Sequence, residues 1–233
     1  MDRVIIKNEK PTTQKRVKNK APRLAFIALF LILIAALGYV IWDSIPSTPY
    51  EALSIQEVEN IISANPPLDD KRQEVLDSGL SLLGKVNYFW GGKSNSIGWD
   101  KRWGVPMIVM SKGSETTGTQ RPFGLDCSGF VTWCFMQAGY TPEQADELIG
   151  NGTWNQWDRS VPIKWKDISV GDYAFENEYP TNKGNHIGIC VGFDDKNQPV
   201  FMHCAYSFNN VVVTNAGHVF KYPRRPNVFI SDN

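Results

Sequence analysis

The stretch "GLDCSGFVTWCFMQAG" (residues 124–139) decides how this chain folds. Phe130, Val131, Cys134 and Phe135 recur at helical spacing and Gly139 supplies a stop, so a helix is predicted from Cys127 to Ala138. Cys127 then opens the helix, where unpaired backbone N–H groups and the positive end of the helix dipole favour a thiolate. Asp126 is placed to cap that helix, and Gly124 permits a tight entry turn. On this pattern alone two readings stand. Cys127 is a nucleophile, or it is a small buried residue or half of a disulfide.

Downstream the pattern changes. "DYAFE" (172–176), "HIGICVGFD" (186–194), "PVFMHCAY" (199–206) and "NNVVVTNA" (209–216) are short β-type runs separated by turn residues such as Asp194–Asn197. Upstream, Ser54 and Glu57 form a capping box ahead of Val58, Ile61 and Ile62. A second helix follows Pro67, with Val75, Leu76, Leu80 and Leu83 as its apolar stripe and Gly84 at its end. Helices early and strands late imply an α+β domain with an antiparallel sheet. Strand alternation sends His186, Gly188 and Cys190 to one face, and puts His203 with Phe201 and Ala205 while Cys204 points away. If the two strands pair as a hairpin, both imidazoles share a side.

The net charge of zero hides an asymmetry. Residues 1–23 carry eight Lys/Arg against Asp2 and Glu9, a balance of +6, which leaves the remainder at −6. An acidic main body argues against nucleic acid as the partner. Between Arg23 and Asp43 the run "LAFIALFLILIAALGYVIW" (24–42) holds no charge over nineteen residues. At a rise of about 1.5 Å per residue it matches a hydrocarbon core of about 30 Å. The basic flank belongs on the cytoplasmic side, so the expectation is a single-pass membrane protein whose main domain is extracytoplasmic. A cleaved secretory signal, cut near Ala36–Gly38, is the alternative, and it exports the domain as well. The expected organisation is a basic tail (1–23), a transmembrane helix (24–42), a linker with a short helix (43–66) and the main domain (67–233).

Five ordered segments resemble the NlpC-type cell-wall cysteine peptidases, a papain-like group. They are "LLGKVNYFWGG" (82–92), "GLDCSGFV" (124–131), "ISVGDYAF" (168–175), "GNHIGICVG" (184–192) and "FMHCA" (201–205), and the resemblance spans roughly residues 70–206. It implies a papain-like fold, with Cys127 as nucleophile, His186 as base and His203 orienting His186. Tyr88 matches the family tyrosine near the oxyanion site, with Asp126 and Ser128 beside it. The implied activity is hydrolysis of peptidoglycan stem peptides, by resemblance at the γ-D-glutamyl–diamino acid bond, with no cofactor. An amidase or an acyl transferase would use the same layout, and a catalytically silent wall-binding module is the alternative from another class.

Two departures stand out. Thirty-one residues, 93–123, separate Gly92 from Gly124 where the family has a short loop, and this insertion either walls the cleft or covers it. Its Trp99 and Trp103 either stack on substrate or hold the loop down. No wall-binding repeat is recognisable. A metal site is not expected, because His186, His203, Cys204 and His218 show neither C-x-x-C nor H-x-x-x-H spacing. No disulfide is expected either, since Cys127 must stay free and alternation turns Cys190 and Cys204 apart.

Overall fold

The computed structural model describes Phe30 and residues 51–230 apart from His218. No helix among these residues is long and apolar enough to cross a membrane. The basic tail and, save for Phe30, the expected membrane span at 24–42 lie outside the described residues.

Ser54 and Glu57 close the expected capping box and start helix α1 (Ile55–Ser63). Asp69 caps helix α2 (Asp70–Ser81) by accepting from Arg72 N–H at 2.9 Å. Inside the insertion, β1 (Pro106–Ile108) and β2 (Gln120–Pro122) pair as a small antiparallel hairpin. Helix α3 (Cys127–Gln137) is buried on nearly every side, so it behaves as the domain's central rod rather than as a surface helix with one apolar stripe. Gly79 of α2 lets this helix close on both the sheet and α3, since a Cβ there would meet Met202 Sδ at 2.4 Å and Phe130 Cζ at 3.1 Å. Two short helices follow, α4 (Pro142–Leu148) and α5 (Thr153–Asp158).

The main sheet contains β3 (Ser160–Pro162), β4 (Tyr173–Phe175), β5 (Ile187–Phe193), β6 (Pro199–Ala205), β7 (Asn210–Asn215) and β8 (Tyr222–Pro226). Its order is β3-β8-β4-β5-β6-β7, antiparallel throughout. Ile187, Ile189 and Val191 join the core formed with α3, whereas Cys190, Phe201 and Phe220 form a smaller cluster on the other face. The linker guards the β7 edge, with Leu53 N–H donating to Val213 O at 2.8 Å.

The mixed α+β fold agrees with the sequence expectation, and four of the six main-sheet strands were legible. Strands β3 and β8 were not. "YPRRP" shows no apolar alternation and carries two prolines, which argue against an inner strand. Its place is held by arginines. Arg224 lies over the Trp157 ring at 4.0 Å and bonds Ser160 Oγ at 2.9 Å, while Arg225 grips Asp172 at 2.8 and 3.0 Å.

Asp172 is the electrostatic clip of the domain. Its fully buried carboxylate takes Arg225 of β8, Arg72 of α2 at 3.2 Å and the Ser169 N–H at 2.9 Å. Removing it leaves two guanidinium groups facing a buried hole. Asp172→Ala is expected to lower unfolding stability by about 3–5 kcal/mol in a urea titration. A change under 1 kcal/mol would show that solvent already screens these pairs.

Candidate active site

The start of α3 is set by backbone. Segment 87–89 runs parallel to 124–126, with Phe89 N–H donating to Leu125 O at 2.9 Å and Leu125 N–H to Asn87 O at 3.1 Å. Three glycines make that approach possible. A Cβ on Gly124 would sit 1.8 Å from Asn87 O, one on Gly92 2.3 Å from Gly124 O, and one on Gly129 2.2 Å from Gly92 O. Asp126 caps the helix, accepting from Gly129 N–H at 2.6 Å, Ser128 Oγ at 2.8 Å and Lys93 Nζ at 2.7 Å. Lys93 also reaches Ser128 Oγ at 2.5 Å.

His186 and His203 are brought into direct contact. His186 Nε2 and His203 Nδ1 are 2.8 Å apart, His203 Nε2 lies 3.0 Å from Thr214 Oγ1, and Thr214 Oγ1 lies 2.9 Å from Asn215 O. The direction of this relay follows from its last member. A carbonyl only accepts, so Thr214 donates to it and accepts from His203 Nε2–H. His203 Nδ1 is then an acceptor, His186 Nε2 must carry the proton, and His186 Nδ1 is left as a base. Phe220 supports both rings, stacked on His186 at 5.6 Å and edge-on to His203 at 5.2 Å. The sulfur of Cys127 lies against the backbone around His186. Its contact with Asn185 O is 3.9 Å, and the Ile187 and Ser128 N–H groups also point at it. Neither imidazole makes a hydrogen bond to the thiol among the described contacts.

The other expected residues divide. Tyr88 is half-buried beside Cys127 and edge-on to Tyr206 at 5.5 Å. Burial, then the proximity of Cys127 and Asp126, hold its phenol far above the ordinary range. Trp99 and Trp103 do not line the thiol's pocket. Trp103 is buried against Trp133 at 5.5 Å, and the exposed Trp99 stacks edge-on to it at 4.9 Å. The insertion is bound to α3 rather than draped across the cleft: Gly98 N–H donates to Gln137 Oε1 at 2.6 Å, and Trp133 Nε1 to Ser96 O at 3.1 Å. Cys127 opens into a pocket of about 320 Å³ that includes Trp90, Lys93, Trp154, Tyr179 and Lys183.

Trp154 and Trp157, three apart in "NGTWNQWDRS", read from the sequence as one helical face or as a cleft rim. The exposed Trp154 reaches the pocket, while Trp157 packs on Phe175. Other pocket residues went unread. Lys93 and Trp90 could have been found from their place beside "GG". Thr214 carried no signal, because a threonine in a strand is ordinary. All four cysteines are free, and Cys190 and Cys204 belong to the two separate clusters.

Residues 84–220, more than half of the chain, match the NlpC/P60 family model. The chain belongs to the NlpC/P60 family. Among solved structures, this NlpC/P60 domain is similar to the peptidoglycan hydrolase RipB of Mycobacterium tuberculosis, at 20% identity over 71% of this chain and 70% of that one, with a TM-score of 0.45. It is also similar to a P60 domain from an antigen of Mycobacterium avium subspecies paratuberculosis, at 20% identity, 69% and 96% coverage and a TM-score of 0.48. RipD of M. tuberculosis, a non-catalytic NlpC/p60 domain protein adapted to peptidoglycan binding, matches at 17% identity, 66% and 95% coverage and a TM-score of 0.45. No curated protein sequence matches the chain.

The electrostatics of this NlpC/P60 site differ from the sequence expectation of a thiolate favoured at the helix start. Cys127 is 5% exposed, and burial, then the Asp126 charge, push its thiol up to about 12. Lys93 and the Ser128 and Ile187 N–H groups pull the other way without reversing the shift. Burial lowers His186 to about 4 against the Asp126 charge, and drives His203 well below its ordinary value. The resting pair is a neutral thiol and a neutral imidazole. Two consequences are measurable. Alkylation of native Cys127 by iodoacetamide at pH 7 should be slower than that of free cysteine and should climb as pH rises. A depressed imidazole pKa means the unfolded chain binds the extra proton, so this stability is present above pH ~6.5 and is lost as pH falls toward ~4. Because the His186 ring is partly exposed, its share is roughly 2 kcal/mol rather than the full amount the shift implies. Thermal melts of His186→Gln should lose that acid sensitivity.

Proposed function

We propose that the chain is a peptidoglycan hydrolase that cleaves stem peptides with Cys127 as nucleophile, at the γ-D-glutamyl–diamino acid bond. The observation that supports it most is the relay from Asn215 O through Thr214 and His203 to His186, which leaves His186 Nδ1 as the basic nitrogen beside a helix-start thiol. Attack requires the thiol proton to move to His186 Nδ1 as sulfur bonds to the amide carbonyl carbon. The leaving amine takes that proton back, and water then splits the thioester, returning the thiol and the acid. Asp126 already occupies the Gly129 N–H and the Ser128 N–H points at the sulfur, so the Cys127 N–H, with the Tyr88 hydroxyl, is the donor for the developing oxyanion. His203 never takes the proton; it fixes the angle and tautomer of His186.

We also propose that residues 24–42 hold this enzyme in the cell membrane with its domain outside. The charge-free run and its basic flank support that placement. Protease added to intact cells should then remove the domain and spare the tail.

The catalytic reading is tested by digesting purified wall fragments and identifying products by mass. Cys127→Ser and His186→Ala should each lose activity by a factor of about 10³ or more. His203→Ala should lose less, because it removes an orienting group and not the base. Unchanged activity in Cys127→Ser would sink the assignment. Normal binding of fragments with no cleavage by the wild-type chain would instead establish a wall-binding module.

A further inference from the structure

The insertion builds a second pocket that the catalytic reading does not use. On the Tyr88 side of the thiol lies a cavity of about 330 Å³, and Trp90 is the wall it shares with the Cys127 pocket. Tyr88, Trp90 and Tyr206 give it aromatic sides, and Val109, Arg121 and Pro122 of the insertion complete it. The insertion is fixed there at two points. Trp90 Nε1 donates to Lys112 O at 2.9 Å, and the Tyr206 hydroxyl bonds the Glu115 carboxylate. The pocket is therefore a standing feature of the folded chain, made by the segment that sets this domain apart.

Its charge is one-sided. Of the described lining residues, Arg121 is the one that carries charge. Its guanidinium donates to Thr119 Oγ1 through Nε at 3.3 Å and enters no ion pair among the described residues. Glu115 of the insertion is engaged by Tyr206. By contrast, the other exposed guanidinium of the insertion, Arg102, is locked onto buried Asp100 at 2.6, 3.0 and 3.1 Å. A guanidinium that enters no ion pair among the described residues, lining a pocket with aromatic sides, suits a carboxylate on a flat amide-bearing chain.

We infer that this pocket is a substrate subsite in which Arg121 binds a free carboxylate of the peptide next to the bond that is cut. The inference rests on the hydrolase reading for the identity of the peptide. A γ-linked glutamyl residue carries its α-carboxylate a short carbon chain from the scissile carbonyl, and the pocket adjoins that of Cys127 across Trp90. Arg121 is thus a specificity residue. It distinguishes stem peptides with the free acid from those in which that acid is an amide.

The test uses the full chain carrying Cys127→Ala, so that peptides bind without turnover. Two matched γ-D-glutamyl–diamino acid peptides, one with the α-carboxylate and one with the α-carboxamide, are titrated by calorimetry. The acid should bind roughly ten- to a hundredfold tighter, as expected for a hydrogen bond to a charged group. Adding Arg121→Gln should remove that preference by weakening the acid alone, and Arg121→Lys should keep part of it. Unchanged melting of Arg121→Gln, whose side chain is exposed, guards against a folding artefact. Equal binding of both peptides to Cys127→Ala, or a preference that survives Arg121→Gln, overturns the subsite. Cleavage by the wild-type chain separates the two claims. A binding preference with neither peptide cut sinks the hydrolase and keeps the subsite, while equal kcat/KM on both sinks the subsite and keeps the hydrolase.

Discussion

Two backbones in contact, with no side chain between them, fix where the chemistry of this domain sits. The interlock of Gly92, Gly124 and Gly129 with the carbonyls of Asn87, Gly124 and Gly92 leaves no room for even one methyl group. A rotamer can adapt to a neighbour, but two main chains at this distance can only separate. The first turn of α3 therefore starts where segment 87–92 dictates. The direction of its dipole, the seat of Cys127 against Asn185 and Ile187, and the nearness of Tyr88 all follow from that one approach.

The same turn contains an electrostatic conflict. A carboxylate cap secures the helix start, yet its charge beside the thiol opposes ionisation. Lys93 answers both sides by pairing with Asp126 at 2.7 Å and favouring the thiolate. It does not outweigh burial. Phe220 packs against both imidazoles, and burial lowers the pKa of each. The result is a neutral thiol and neutral imidazoles at rest beside the Asp126–Lys93 ion pair.

What the sequence revealed depended on how local the cause was. The α3 start, the capping box at Ser54, strands β4 to β7 and the common face of the two histidines came from spacing and alternation within a few residues. Strand β8 escaped because it is held by Arg224 and Arg225, whose partners Ser160, Trp157 and Asp172 lie 53 to 67 positions away. Thr214 escaped for the same reason, since its meaning comes only from its neighbour on β6. For the tryptophans local spacing left alternatives that only packing decides. The insertion folds onto α3 and buries Trp103, so it holds the loop down, while Trp154 reaches the pocket.

The relay that ends on Asn215 O has a polarity that no ring flip can reverse. Its terminus is a main-chain carbonyl of the β7 strand, which offers lone pairs and nothing else. Each donor upstream is thereby assigned, back to the proton on His186 Nε2. His203 is fully buried, and burial together with the neighbouring His186 holds its pKa well below the ordinary imidazole value. The line of hydrogen bonds is a compass rather than a wire. It assigns which nitrogen of His186 holds the proton and which holds the lone pair, and both follow from the Asn215 carbonyl at its far end.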